Sequence, residues 1–217
     1  MNQIYEAAAE QPAENTHSGG HVHRDDTASK MGMWLFLFTE LLLFGGMFLL
    51  YAGYRFLYPE GFKAAAMELN GFIGAVNTII LLTSSLSIAL SIAALQKNQK
   101  KLAVYLLWFT LLCGLVFLIN KYFEWGAKIH HGIYPKGPAM ENFSQGEVMY
   151  FGLYYVMTGL HGLHVIAGMI FIAVVLGFVV KDKITSTNYA KLENAGLYWH
   201  LVDIIWIFLF PLFYLIH

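Results

Sequence analysis

Charge is scarce in this chain: Asp, Glu, Lys and Arg together supply 12% of 217 residues, and the formal net charge is -1. A balance so close to neutral gives no basic footprint for nucleic acid, and a nucleic-acid partner is excluded. Cysteine occurs once, at Cys113. That rules out a disulfide framework and a thiolate metal site, and Cys113 is read as a buried, inert thiol. The N-terminus lacks the basic region and short apolar core of a cleaved signal peptide, so the first apolar stretch is expected to remain as an anchor. No HExxH helix of a metalloprotease is present.

Apolar residues are what the chain has in place of charge. They make up 58% of it, too much for a soluble domain of this length. Five apolar stretches, at about 31 to 56, 71 to 95, 102 to 125, 147 to 180 and 195 to 216, each exceed the roughly 20 helical residues that cross a hydrocarbon core of about 30 Å. The expected fold is all-α: a polytopic membrane protein with a bundle of five transmembrane helices. Residues 1–29 form a polar tail and residues 30–217 the membrane domain. The tail holds His17, His21 and His23 with no acidic or cysteine shell around them, and is read as solvated and flexible. With the N-terminus inside, Arg24, Lys30, Lys97, Lys100, Lys101, Lys181, Lys183 and Lys191 fall on the inner segments. Arg55, Lys63, Lys121, Lys128 and Lys136 fall outside. The denser inner set places the N-terminus inside and the C-terminus outside. The longest connection, Gly126 to Gly146, is expected to be an ordered outer lid.

Each stretch carries polar exceptions, and in lipid such residues mark a partner or a function. Glu40 lies near mid-membrane in the first, either as a proton-exchanging residue or as a neutral acid locking two helices together. In the second, Asn77, Ser84 and Ser91 recur every seven residues with Ser87 close by, a stripe suited to close helix packing. Near the outer end of the third, Lys121, Glu124 and Lys128 form a ladder of helical charge spacing. The fourth holds His161 and His164 among Gly159, Gly162 and Gly168, and the last places His200 and Asp203 three residues apart in an apolar run. Two histidines on one helix fall short of a complete haem or zinc ligand set, so structural hydrogen bonding is expected, either to backbone carbonyls or with Asp203 accepting from His161 or His164. A proton or ion channel using Glu40, His161, His164 and Asp203 as a line, and a membrane cytochrome b, are the competing classes.

Four motifs, in order, resemble the subunit III family of haem-copper oxidases, in the bacterial five-helix form of cytochrome c oxidase subunit III. They are Met31-Gly32-Met33-Trp34-Leu35-Phe36 leading to Thr39-Glu40, Asn77 to Ser85, Gly159 to Gly168 as a GxHGLHVxxG signature, and Trp199-His200-Leu201-Val202-Asp203-Ile204-Ile205-Trp206 as WHFxDxxW. The resemblance implies a subunit of the respiratory chain that carries no redox centre itself. It would pack beside subunits I and II, which hold the haems and copper, bind phospholipid, sustain proton uptake and protect the catalytic subunit during turnover. Glu40 matches the family's membrane-embedded glutamate, Glu124 the acid ending the next-but-one helix, and Glu193 the acid seven residues before the signature histidine. Lys183 lies where inner lipid-headgroup contacts cluster. The implied location is the bacterial cytoplasmic (inner) membrane. The seven-helix mitochondrial form has two further helices flanking a lipid-filled cleft, which a partner would have to complete here. Quinol oxidase versions tend to have aspartate at the position of Glu40, which favours a cytochrome c oxidase over a quinol oxidase or a nitric-oxide reductase partner.

Overall fold

Long apolar runs in a bilayer have one open-ended way to satisfy their backbone, the helix, because no water is available to the peptide groups. The computed structural model describes residues 19–135 and 137–216, with side chains from residue 28 onward. Its elements are α1 (Gly19–Leu57), α2 (Pro59–Met67), α3 (Gly71–Gln96), α4 (Lys100–His130), a single 3-10 turn (Pro138–Asn142), α5 (Gln145–Val180) and α6 (Ala190–Tyr214), and among the described residues no strand forms. Five of these are long and apolar enough to cross a membrane, α1 doing so over Ala28–Leu57. The protein is thus an all-helical, multi-pass membrane protein.

Element boundaries depart from the expectation in several places. α1 starts at Gly19, well before the expected 31, so the polar segment after residue 18 continues the helix. Extending an already nucleated helix costs little, whatever the polarity of the added residues. His17 lies outside the described residues; His21 and His23 fall on α1, their side chains outside them. α4 runs on to His130, which shortens the connection expected as a lid. The amphipathic α2 was not expected at all. Its Gly61 comes against the backbone of Gly146, where an added Cβ would lie 2.8 Å from the Gly146 Cα, and Phe62, Ala65 and Ala66 are buried.

Helix ends are tied by recognisable chemistry. Asn70 caps α3 by accepting from Phe72 N–H and Ile73 N–H. Ser144 and Glu147 form a reciprocal capping box at the start of α5. α3, α4 and α5 each end on a left-handed residue, Asn98 (φ 60), Gly132 (φ 76) and Asp182 (φ 56). The Lys100 ammonium ties the start of α4 to the end of α5 by donating to Val180 O (2.9 Å) and Asp182 Oδ1 (2.6 Å).

α6 is the hub: it packs on α3, α5 and α1, while α4 closes the far side between α3 and α5. Trp199, Trp206, Phe117, Tyr150, Tyr154 and Phe213 are fully buried around it. Tyr51 and Tyr150 donate to Leu212 O and Phe213 O, two carbonyls left open in the last turn of α6. Among the described residues α1 packs chiefly on α5, α6 and the short α2. In its most apolar stretch 11% of residues are buried, against 33% to 50% in the other four spans.

Candidate functional site

The polar residues gather in clusters at different depths. Between α1 and α5, Glu40 Oε2 stands 2.7 Å from His164 Nε2. The other ring nitrogen, Nδ1, lies 2.8 Å from Leu160 O. A carbonyl can only accept, so Nδ1 carries a proton, and the short Nε2 to Oε2 contact must contain one more. That proton sits either on Glu40, giving a neutral pair, or on Nε2, giving an ion pair. The two forms carry the same net charge and differ only in the position of one hydrogen. Side-chain exposure is 15% for Glu40 and 14% for His164, so the pair is nearly sealed within the bundle. The edge of the Phe44 ring packs against the imidazole.

Among α3, α5 and α6 the indoles of Trp199 and Trp206 donate to Ser84 Oγ and Thr78 Oγ1, both at 3.0 Å. Asn77 accepts from Asn120 Nδ2 at 2.8 Å, joining α3 to α4, and Ser87 donates to Leu106 O at 2.9 Å. His200 Nδ1 meets Ser85 Oγ at 2.6 Å. The expected bond from Asp203 to a histidine of α5 does not form. His164 is taken by Glu40, and His161 is wedged among Phe117 and Trp206 with neither ring nitrogen bonded. Both Asp203 carboxyl oxygens are sealed without a hydrogen bond of standard geometry, Ser85 being the hydroxyl in their vicinity. The reason is angular: a spacing of three along a helix turns a side chain by about 60° from its neighbour, enough to send His200 outward and Asp203 inward.

At the end of the bundle near α2, the expected charge ladder of α4 is a buried cluster instead. Glu124 accepts from Tyr214 OH (2.5 Å), Tyr154 OH (2.8 Å) and Lys121 Nζ (3.1 Å). The Lys121 ammonium also contacts both phenol oxygens and lies over the Trp206 ring. Lys128 points elsewhere and donates to Glu68 O at 2.8 Å. Tyr154 and Tyr214 have no signal of their own in an apolar run. The clue available was the Lys121/Glu124 pair, which lipid would not tolerate unmatched. At the opposite end Glu193 pairs with Lys30 at 2.9 Å, and Asn194 Nδ2 donates to Ser29 Oγ at 3.1 Å. Lys183 and Lys191 both lie over the Phe178 ring. Among the described residues no three of His, Cys, Asp and Glu gather within reach of one ion.

Comparison with known proteins adds a consistent result. The family model described as Cytochrome c oxidase subunit III matches residues 3–217. Cytochrome c oxidase subunit 3 of Alkalihalophilus pseudofirmus is 35% identical over 85% of this chain and 85% of its own length. Cytochrome bo(3) ubiquinol oxidase subunit 3 of Pseudomonas putida is 30% identical over 89% of this chain and 88% of its own. A heme-copper oxidase subunit I+III of Aeropyrum pernix is 29% identical over 86% of this chain, which corresponds to 22% of that longer protein.

Proposed function

Because the chain belongs to the cytochrome c oxidase subunit III family, we propose that it is the non-catalytic third subunit of a proton-pumping cytochrome c oxidase of aerobic electron transport. At the coarser level it is subunit III of a haem-copper oxidase. The haems and copper that reduce oxygen belong, in this reading, to subunits I and II. This chain stabilises the catalytic subunit, sustains its proton uptake, prolongs its turnover and holds phospholipid. The basic end with Lys97, Lys101, Lys181 and Lys183 then faces the inside of a bacterial cytoplasmic membrane, where anionic headgroups meet Lys183. The observation that carries the reading is the Glu40–His164 pair, which can hold a proton at mid-membrane and shift it between two atoms without changing the net charge of the bundle. The pairwise use of Lys121 with Glu124 and of Glu40 with His164 supports an accessory role, since each charge is matched within the chain.

Glu40 itself and the 35% identity to a cytochrome c oxidase subunit favour cytochrome c as electron donor. A quinol oxidase is the second reading, favoured by the ubiquinol oxidase relative at 30%. Purification of the chain in mild detergent tests both. A haem-bearing subunit should co-purify, and the complex should consume oxygen with reduced cytochrome c. Consumption with ubiquinol alone would transfer the protein to the quinol oxidases. Purification without any haem-bearing partner would refute the assignment.

A further inference from the structure

His200 and Ser85 form a bonded pair, yet neither is fully covered by the bundle. His200 lies ten residues into α6 and Ser85 eleven residues before the end of α3, so both sit about 15 Å from the same end of the bundle, at the centre of a core about 30 Å thick. Around them the surface is apolar: Leu82 and Ile204 are exposed, Ile207 lies a turn further along α6, and Ala89 a turn along α3. Ser85 occupies one ring nitrogen. The other, Nε2, has no hydrogen-bond partner among the described residues and is not among the atoms sealed from the surface.

A lateral imidazole nitrogen at mid-depth is poorly served by lipid. Acyl chains offer neither donor nor acceptor, and headgroups are half a bilayer away. The Glu40–His164 pair and the Trp199 and Trp206 indoles are closed within the chain, whereas the second nitrogen of His200 stays open on the outer face. We infer that the α3–α6 face centred on Ser85 and His200 abuts a transmembrane helix of the neighbouring catalytic oxidase subunit, which offers a hydrogen-bonding side chain to His200 Nε2. The inference rests on the reading of the chain as a haem-copper oxidase subunit. The flanking Leu82, Ala89, Ile204 and Ile207 supply the dry surround, and the polar contact fixes depth and register, as single polar groups do between membrane helices.

The test uses the whole complex. A photoreactive phenylalanine analogue is placed at Ile204, or at Leu163 in the α4–α5 groove on the other side, and adducts are identified by mass spectrometry. Ile204 should capture the haem-bearing subunit and Leu163 should not. In parallel, release of the chain by rising detergent is followed as haem per chain. His200→Leu should weaken association roughly five- to a hundredfold, equivalent to about 1 to 3 kcal/mol for a polar partner left unmatched, and His200→Gln should weaken it less. Lipid adducts alone at Ile204, a cross-linked dimer of this chain, capture of the catalytic subunit from Leu163 instead, or unchanged association in His200→Leu would each overturn the inference. If the wild-type chain retains its haem-bearing partner while these arms fail, only the assignment of the face falls. If the wild type has no such partner, the proposed function falls with it.

Discussion

At the scale of single residues, two of the interior acids are held by opposite strategies. Glu40 shares one proton with one imidazole, whereas Glu124 collects three donors. A glutamine at position 40 can still donate to His164 Nε2, which remains an acceptor in the tautomer set by Leu160 O. Alanine leaves a cavity and an unmatched imidazole. Glu40→Gln should therefore keep the initial oxygen-consumption rate, while Glu40→Ala assembles less well and inactivates after fewer turnovers, measured in complexes of matched subunit content. Loss of the initial rate in assembled Glu40→Gln would make Glu40 an obligatory proton carrier. The second cluster responds differently. Lys121→Met strands the Glu124 carboxylate against two phenols and should cost about 3 to 5 kcal/mol, whereas the double change Lys121→Met with Glu124→Gln should recover most of it. Thermal unfolding of the purified complex reports both, and a double loss equal to the sum of the Lys121→Met and Glu124→Gln losses would show that the pair is not coupled.

At the scale of elements, the glycines divide into those that set a helix contact and those that do not. A Cβ on Gly168 would come within 2.8 Å of Trp199, while one on Gly162 meets nothing within 4 Å. Gly168→Ala should push α5 from α6, stretch the Trp199 to Ser84 bond and cost about 1 to 3 kcal/mol, with Gly162→Ala close to neutral. Unfolding midpoints of the two variants in one complex preparation check this. Sequence alone located the five spans, because twenty or more apolar residues have few alternatives in lipid. It missed α2, whose nine residues are too short to carry a span signal and whose seat depends on Gly61 meeting Gly146, a contact between distant parts of the chain. The Ser144 to Glu147 capping box, an S-x-x-E pattern the sequence reading also passed over, starts α5 two residues before the expected 147.

At the scale of the whole molecule, pairing across helices was the least legible property. His161 and His164 fell on one face by spacing, but helix rotation and register decide that His164 reaches Glu40 while His161 faces Trp206 and Phe117. Asp203 illustrates the same limit, since its spacing from His200 said nothing about which way α6 is turned. Many large apolar side chains, among them Leu35, Leu49, Phe72, Trp108 and Leu163, cover the outside. Lipid covers those, but it cannot match the open His200 nitrogen, which leads to the expectation that the chain accumulates only within a complex. Native electrophoresis of membranes should show no free 24.5 kDa species, and a monodisperse free chain as the main population would contradict this.

The sparse packing of α1 has a consequence for biosynthesis. Apart from α2, α1 packs chiefly on α5 and α6, the last two helices to leave the ribosome. Glu40 meets its imidazole only after 124 further residues have been added. Throughout that interval the first helix lacks its main packing partners and the acid its imidazole, even as α3 and α4 are added, and α6 supplies the final contacts that consolidate it. A chain truncated before α5 would therefore leave the Glu40 carboxyl without its imidazole and the first span without the two helices it packs on most.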